Sequence, residues 1–124
     1  MRLLLLTMGC AAIAAAAGAE TQATFNRDVL LVLQKNCQSC HRSGEVAPMS
    51  LLTYQEARPW AKAIKAAVLS KKMPPWFADS KFGHFQNERK LSDADVKTLA
   101  NWADNGAPEG TAKDKPAPVA WVEG

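Results

Sequence analysis

The chain has 124 residues, 48% of them hydrophobic, and a formal charge of +3, which suits one compact domain. That charge is too small to argue for nucleic acid, and no arginine-rich run or interleaving of basic and aromatic residues adds to it. Three cysteines do not make a disulfide framework, and only Cys37 and Cys40 stand close together.

The opening segment, MRLLLLTMGCAAIAAAAGAE, reads as an export signal: Arg2, an apolar run from Leu3 through Ala17, then the small-residue site Ala17-Gly18-Ala19. Residues 1–19 are therefore expected to be cleaved, leaving Glu20 as the new terminus and the mature protein in the periplasm. Cleavage takes Arg2 and Cys10 with it and leaves all 12 acidic residues. Lipidation at Cys10 is disfavoured, because Thr7 stands where leucine is expected and little apolar sequence precedes it. No other segment approaches the ~20 apolar residues of a membrane helix, so a soluble domain without a membrane span is expected. A domain this small buries a modest fraction of its surface and often needs a staple or a cofactor.

From Phe25 to Asn36, FNRDVLLVLQKN sets Phe25, Val29, Val32 and Leu33 at helical spacing, with Thr24 or Asn26 as the cap, and runs straight into Cys37. SGEVAPMS is a loop punctuated by Gly44 and Pro48. Thr53 and Glu56 offer a capping box, Pro59 breaks or restarts the helix, and PWAKAIKAAVLSKK places Trp60, Ile64, Ala67 and Val68 on one face. That helix must stop at Met73-Pro74-Pro75. WFADSKFGHFQNERK has a broken period and reads as a loop. In LSDADVKTLANWADNGAPEG, Ser92 is the N-cap with Asp95 three residues on; Val96, Leu99, Ala100 and Ala103 share a face, and Gly106 and Pro108 end the helix. Residues 111–124 read as a loosely ordered tail that Trp121 docks. The strand pattern is nearly absent, so residues 20–110 are expected to form one all-α domain of three or four helices.

The chemistry is concentrated in CQSCH, residues 37–41, which admits three readings. A thioredoxin-like dithiol needs a helix N-terminus after a buried strand, and here a helix precedes the first cysteine. Structural zinc needs four ligands; Cys37, Cys40, His41 and His84 are the supply, and adjacent Cys40 and His41 fit one tetrahedral ion poorly. Covalent haem uses every residue of the motif: two thiols add across the two vinyl groups, and the adjacent imidazole of His41 reaches iron. The last reading accounts best for the spacing and gives a small domain a cofactor at its core.

A six-coordinate haem needs a second ligand. Met73 stands out, since Pro74 and Pro75 would hold its thioether away from a helix, although a lone methionine is more often packing. His84, flanked by Gly83 and Phe85, is the rival, and an open position is the third possibility. Met49 lies too near His41 in sequence for the opposite face and is placed in the haem crevice. Trp60, Trp76 and Arg58 carry donors that suit propionates, against the plainer alternative of core tryptophans and a solvated arginine. Lys71, Lys72 and Lys81 could ring an exposed haem edge and steer an acidic redox partner, or form an ordinary wetted face.

With an N-terminal helix running into CQSCH, a glycine and proline loop, KMPPW, and LSDADVKTLANW as a closing helix, the chain resembles the class I mono-haem cytochromes c over about residues 24–108. The resemblance implies a cytochrome c-like fold wrapped around one covalently attached haem c. It also implies Met73 as distal ligand and the Pro48 carbonyl as acceptor for the Nδ1 hydrogen of His41. In that family the first and last helices cross, so Phe25 or Val29 should meet Leu99 or Trp102. The sequence departs from the family's commonest form in PMSL and in the long aromatic loop WFADSKFGHF. The function implied is single-electron transfer between redox partner proteins by a periplasmic monomer that is not an enzyme. The alternative is a haem enzyme, or a gas- or peroxide-binding protein, with an open or displaceable distal site.

Overall fold

The structure is a computed structural model that describes residues 21–122; the expected signal, its cleavage site and Cys10 lie outside the described residues. The described residues form helices, turns and loops with no strand, an all-α architecture. None of their helices is long and apolar enough to cross a membrane.

The chain enters its first helix through a π-helical opening, Phe25–Val29, which continues as α1, Leu30–Asn36. The opening is wide because the Thr24 carbonyl accepts from the amides of both Asp28 and Val29, at 3.0 and 3.1 Å. Thr24 occupies the cap position but makes no side-chain cap bond; the Asp28 carboxylate reaches back to accept from the Thr24 amide at 2.8 Å. The predicted stripe of Phe25, Val29, Val32 and Leu33 is buried, joined by Leu30 and Asn26.

The short helix α2, Tyr54–Ala57, carries the predicted capping box: the Thr53 hydroxyl accepts from the Glu56 amide while the Glu56 carboxylate accepts from the Thr53 amide. Pro59 then sits in a 3-10 turn, Arg58–Trp60, before α3, Ala61–Leu69. Trp60 closes that turn and so stands outside the 3.6-residue period of α3. Ala61, Ile64 and Val68 face the core, and Trp60, expected on that face, is 42% exposed. Helix α3 ends at Leu69, earlier than Met73, with Lys71 at φ 58° and the Lys72 amide donating to the Ala67 carbonyl.

Helix α4, Asp93–Asp104, starts as expected: the Ser92 hydroxyl accepts from the Asp95 amide at 3.0 Å. Its buried residues are Leu99, Trp102 and Ala103, while Ala100 is only half-buried. It packs on α3 and on the π-helical opening. There Phe25 meets Trp102 with ring centroids 6.0 Å apart and Tyr54 edge-on at 5.5 Å, so the expected contact between first and last helices is present. Trp102, Phe25, Leu33, Leu99 and Val29 are the largest fully buried side chains, each contributing roughly 1.5–3 kcal/mol by burial.

Backbone pairing reinforces this crossing. The amides of Phe25 and Asn26 donate to the carbonyls of Pro108 and Glu109, both at 2.9 Å, and the indole Nε1 of Trp102 donates to the same Pro108 carbonyl at 3.0 Å. The tail is laid along α1 more fully than the sequence suggests. The Gln34 amide nitrogen donates to the Ala117 carbonyl at 2.9 Å, and the Trp121 ring lies against the Arg42 guanidinium.

Candidate functional site

Helix α1 stops where the motif begins. Asn36 closes it, its side chain donating back to the Val32 carbonyl, and the amides of Cys37 and Gln38 both donate to the Leu33 carbonyl. The motif then folds as a turn, with the Cys40 and His41 amides donating to the Cys37 carbonyl at 3.1 and 2.9 Å. The loop returns on itself: the Ala47 amide donates to the Cys40 carbonyl, and the Leu51 amide to that of His41. Buried Gln38 donates from its side chain to the Leu51 carbonyl at 3.0 Å and pins the far end.

Cys37 and Cys40 are both free thiols and half-buried. Burial pushes the Cys37 thiol up to about 11, with Asp95 of α4 and Cys40 adding to the effect. Its place after a helix C-terminus acts in the same direction, since that end disfavours an anion. A redox dithiol needs the opposite, a thiol made acidic by a helix N-terminus or a nearby cation. Cys40 has a different neighbour, the guanidinium of Arg89, whose Nη1 lies 3.8 Å from its sulfur.

His41 is buried, and its Nδ1 lies 3.3 Å from the Met49 carbonyl. This corrects the expected acceptor: the loop presents Met49, not Pro48, because Pro48 is turned to solvent while Met49 packs half-buried against the core. With Nδ1 donating to a carbonyl, the ring is fixed in one tautomer and Nε2 keeps its lone pair for a metal.

The remaining predicted residues are spread over the turn before α3 and the loop after it. Met73 is 41% exposed, just beyond the end of α3, its amide donating to the Ala67 carbonyl. Trp76 is half-buried and stacks edge-on with Phe85 at 5.9 Å, whereas Trp60 and Arg58 are exposed in the 3-10 turn. Lys71, Lys72 and Lys81 are all exposed. His84 is exposed too, its Nδ1 3.4 Å from the Glu88 carboxylate. Among the described residues no three His, Cys, Asp or Glu side chains come together as a metal-holding set.

Between Met73 and Phe85 several large apolar side chains are exposed. Phe77 is fully exposed and Phe82 is 85% exposed, alongside Met73 and half-exposed Phe85.

Sequence reasoning missed Arg42, Arg89 and Gln38. Arg42 had a signal, its place directly after the motif; Arg89 lies 49 residues from Cys40 and had none. Compared with known proteins, the chain matches no protein family, no curated protein and no solved structure.

Proposed function

We propose that this chain is a mono-haem c-type cytochrome with a cytochrome c-like fold, passing single electrons between protein partners. The observation that carries the reading is the state of His41: a buried imidazole directly after two free thiols, its Nδ1 committed to the Met49 carbonyl and Nε2 left as the available nitrogen. Cys37 and Cys40 would hold haem c covalently; His41 and Met73 would hold its iron. These residues fit the group in donor type, since thiols, imidazole and thioether make up the usual attachment and axial set. The exposed apolar side chains of Met73, Phe77, Phe82 and Phe85 also fit it, because a macrocycle gives such a surface something to cover.

When bound, the haem supplies a single-electron Fe(III)/Fe(II) couple. The protein's own residues do the rest. The Met49 carbonyl accepts from Nδ1 of His41 and so orients the ring with Nε2 available to the iron. A thioether at Met73 favours the reduced state, as does an apolar crevice that disfavours added charge. Met49, packed against the core, and Trp76, stacked on Phe85, are the other candidates for crevice walls, with Trp60 placed at its rim. Exposed Lys71, Lys72 and Lys81 would meet an acidic surface on a redox partner.

The test is the absorption spectrum of the mature chain, oxidised and reduced, after expression with haem-attachment machinery. A low-spin c-type spectrum with the weak far-red band of a methionine–iron bond is expected, and Met73→Ala should keep the covalent haem while changing spin state. A high-spin spectrum that shifts on adding cyanide would refute Met73 as a ligand, and a chain with no covalent haem would refute the cytochrome reading.

A further inference from the structure

The side chain of Arg42 connects two parts of the molecule that the sequence keeps 80 residues apart. Its Nη1 donates to the carbonyls of Gln38 and Ser39, inside the cysteine motif. Its Nη2 donates to the Glu45 carboxylate at 2.6 Å and to the Val122 carbonyl at 3.5 Å. The guanidinium carbon also stands 4.9 Å from the centroid of the Trp121 ring. Only a planar group with five donors can meet so many partners at once, and a lysine in its place could not.

The tail is anchored independently on α1. Gln34 holds the Ala117 carbonyl, and Pro116, Pro118 and Trp121 close one side of a cavity of about 250 Å³ whose other side includes Leu30 and Leu52. The indole Nε1 of Trp121 is buried without a hydrogen-bond partner. The ring is therefore placed by its faces, against the cation and the apolar wall, and not by its donor.

We propose that residues 111–122 form a strap that holds the segment bearing Cys40 and His41, with Arg42 as its clasp and a positioning residue for His41. The strap lies along α1, shares a cavity wall with Gln38 of the motif, and is clasped at the guanidinium, a single residue from the imidazole. Because the Arg42 side chain is only 13% exposed, its attraction to the ring is not heavily screened by water. Anything that lifts the tail, such as a partner that engages its proline-bearing stretch, would release the carbonyls on both sides of Ser39 and loosen the turn behind His41. Any effect of that loosening on electron transfer rests on the haem reading, whereas the strap does not.

The test is amide hydrogen exchange on the full chain, with and without covalent haem, comparing wild type with Trp121→Ala and Arg42→Lys. Trp121→Ala, which removes the cation–π contact, and Arg42→Lys, which removes part of the guanidinium's hydrogen bonding, should each speed exchange at the Cys40, His41 and Ala47 amides by about three- to tenfold. Amides within α4 should keep their wild-type rates. Unchanged rates at the three motif amides would overturn the proposal. An increase spread equally over α4 would also overturn it, since the tail would then be part of the global core and not a local strap. Absence of haem would defeat the functional reading and leave this exchange pattern to be judged separately.

Discussion

Replacing Trp102 by phenylalanine tests the helix crossing on which the site is built. Trp102 is fully buried against Phe25, and its indole donates to the Pro108 carbonyl at 3.0 Å. Phenylalanine keeps an aromatic ring but removes that donor, which is worth about 1 kcal/mol net. The Pro108 carbonyl is not orphaned, because the Phe25 amide also donates to it at 2.9 Å, so no full desolvation penalty is added. The smaller ring leaves roughly 40 Å³ unfilled, which at about 24 cal/mol per Å³ of cavity adds about 1 kcal/mol. The expected loss is thus ~2 kcal/mol, read as a lower urea midpoint with an unchanged slope. Trp60→Phe is the control: that ring is 42% exposed and should cost under about 0.5 kcal/mol. Equal effects at the two tryptophans, or a Trp102→Phe loss below about 0.5 kcal/mol, would refute the reasoning.

Gly110→Ala should destabilise by about 2 kcal/mol or more, because φ is +81° and an added Cβ would lie 2.6 Å from the Thr24 hydroxyl oxygen; thermal unfolding measures it, and an unchanged midpoint would count against the close approach of tail and helix start. Asp28 gives a pH signature. Burial raises its carboxyl, but the Arg27 hydrogen bond, the Thr24 amide and the Arg27 charge together bring it below the usual aspartate value of 3.8. A folded-state value that is depressed means stability present above the unfolded value and lost as pH falls through the folded one. Asp28→Asn should therefore cost about 1 kcal/mol at pH 7, with the gap from wild type closing below about pH 4 in acid titrations of stability. A gap independent of pH would remove the carboxylate from the capping role.

Local chemistry was legible wherever a motif closes on itself within four residues. Ser92 with Asp95, and Thr53 with Glu56, are caps whose partners lie one turn away, so sequence spacing suffices to find them. The first helix was legible as a stripe but not as a cap: Thr24 packs beneath Gly110, and the capping bond passes to Asp28. Trp60 is misplaced by the periodicity argument because that argument counts it into the helix that follows Pro59, whereas it closes the 3-10 turn before that helix begins. The same limit applies to the site. Cysteine and histidine spacing marked Cys37, Cys40 and His41, yet which of two neighbouring carbonyls faces Nδ1 depends on how the 42–50 loop folds back, and no residue type announces it. Arg89 beside Cys40, and Arg42 beneath Trp121, are long-range pairs of ordinary surface residue types, invisible without three-dimensional proximity.

The start of the first helix is completed by residues almost a full chain away: Ala23 by the Asn101 side chain, Phe25 and Asn26 by the carbonyls of Pro108 and Glu109, and the Asn26 side chain by those of Gly110 and Thr111. A chain emerging from its N-terminus therefore has its first core element waiting, with open amides, until position 111 arrives. Contacts of such sequence separation form slowly. During that interval the tail is not yet laid against Arg42, so any covalent work on Cys37 and Cys40 has its natural opening before the two ends of the domain meet.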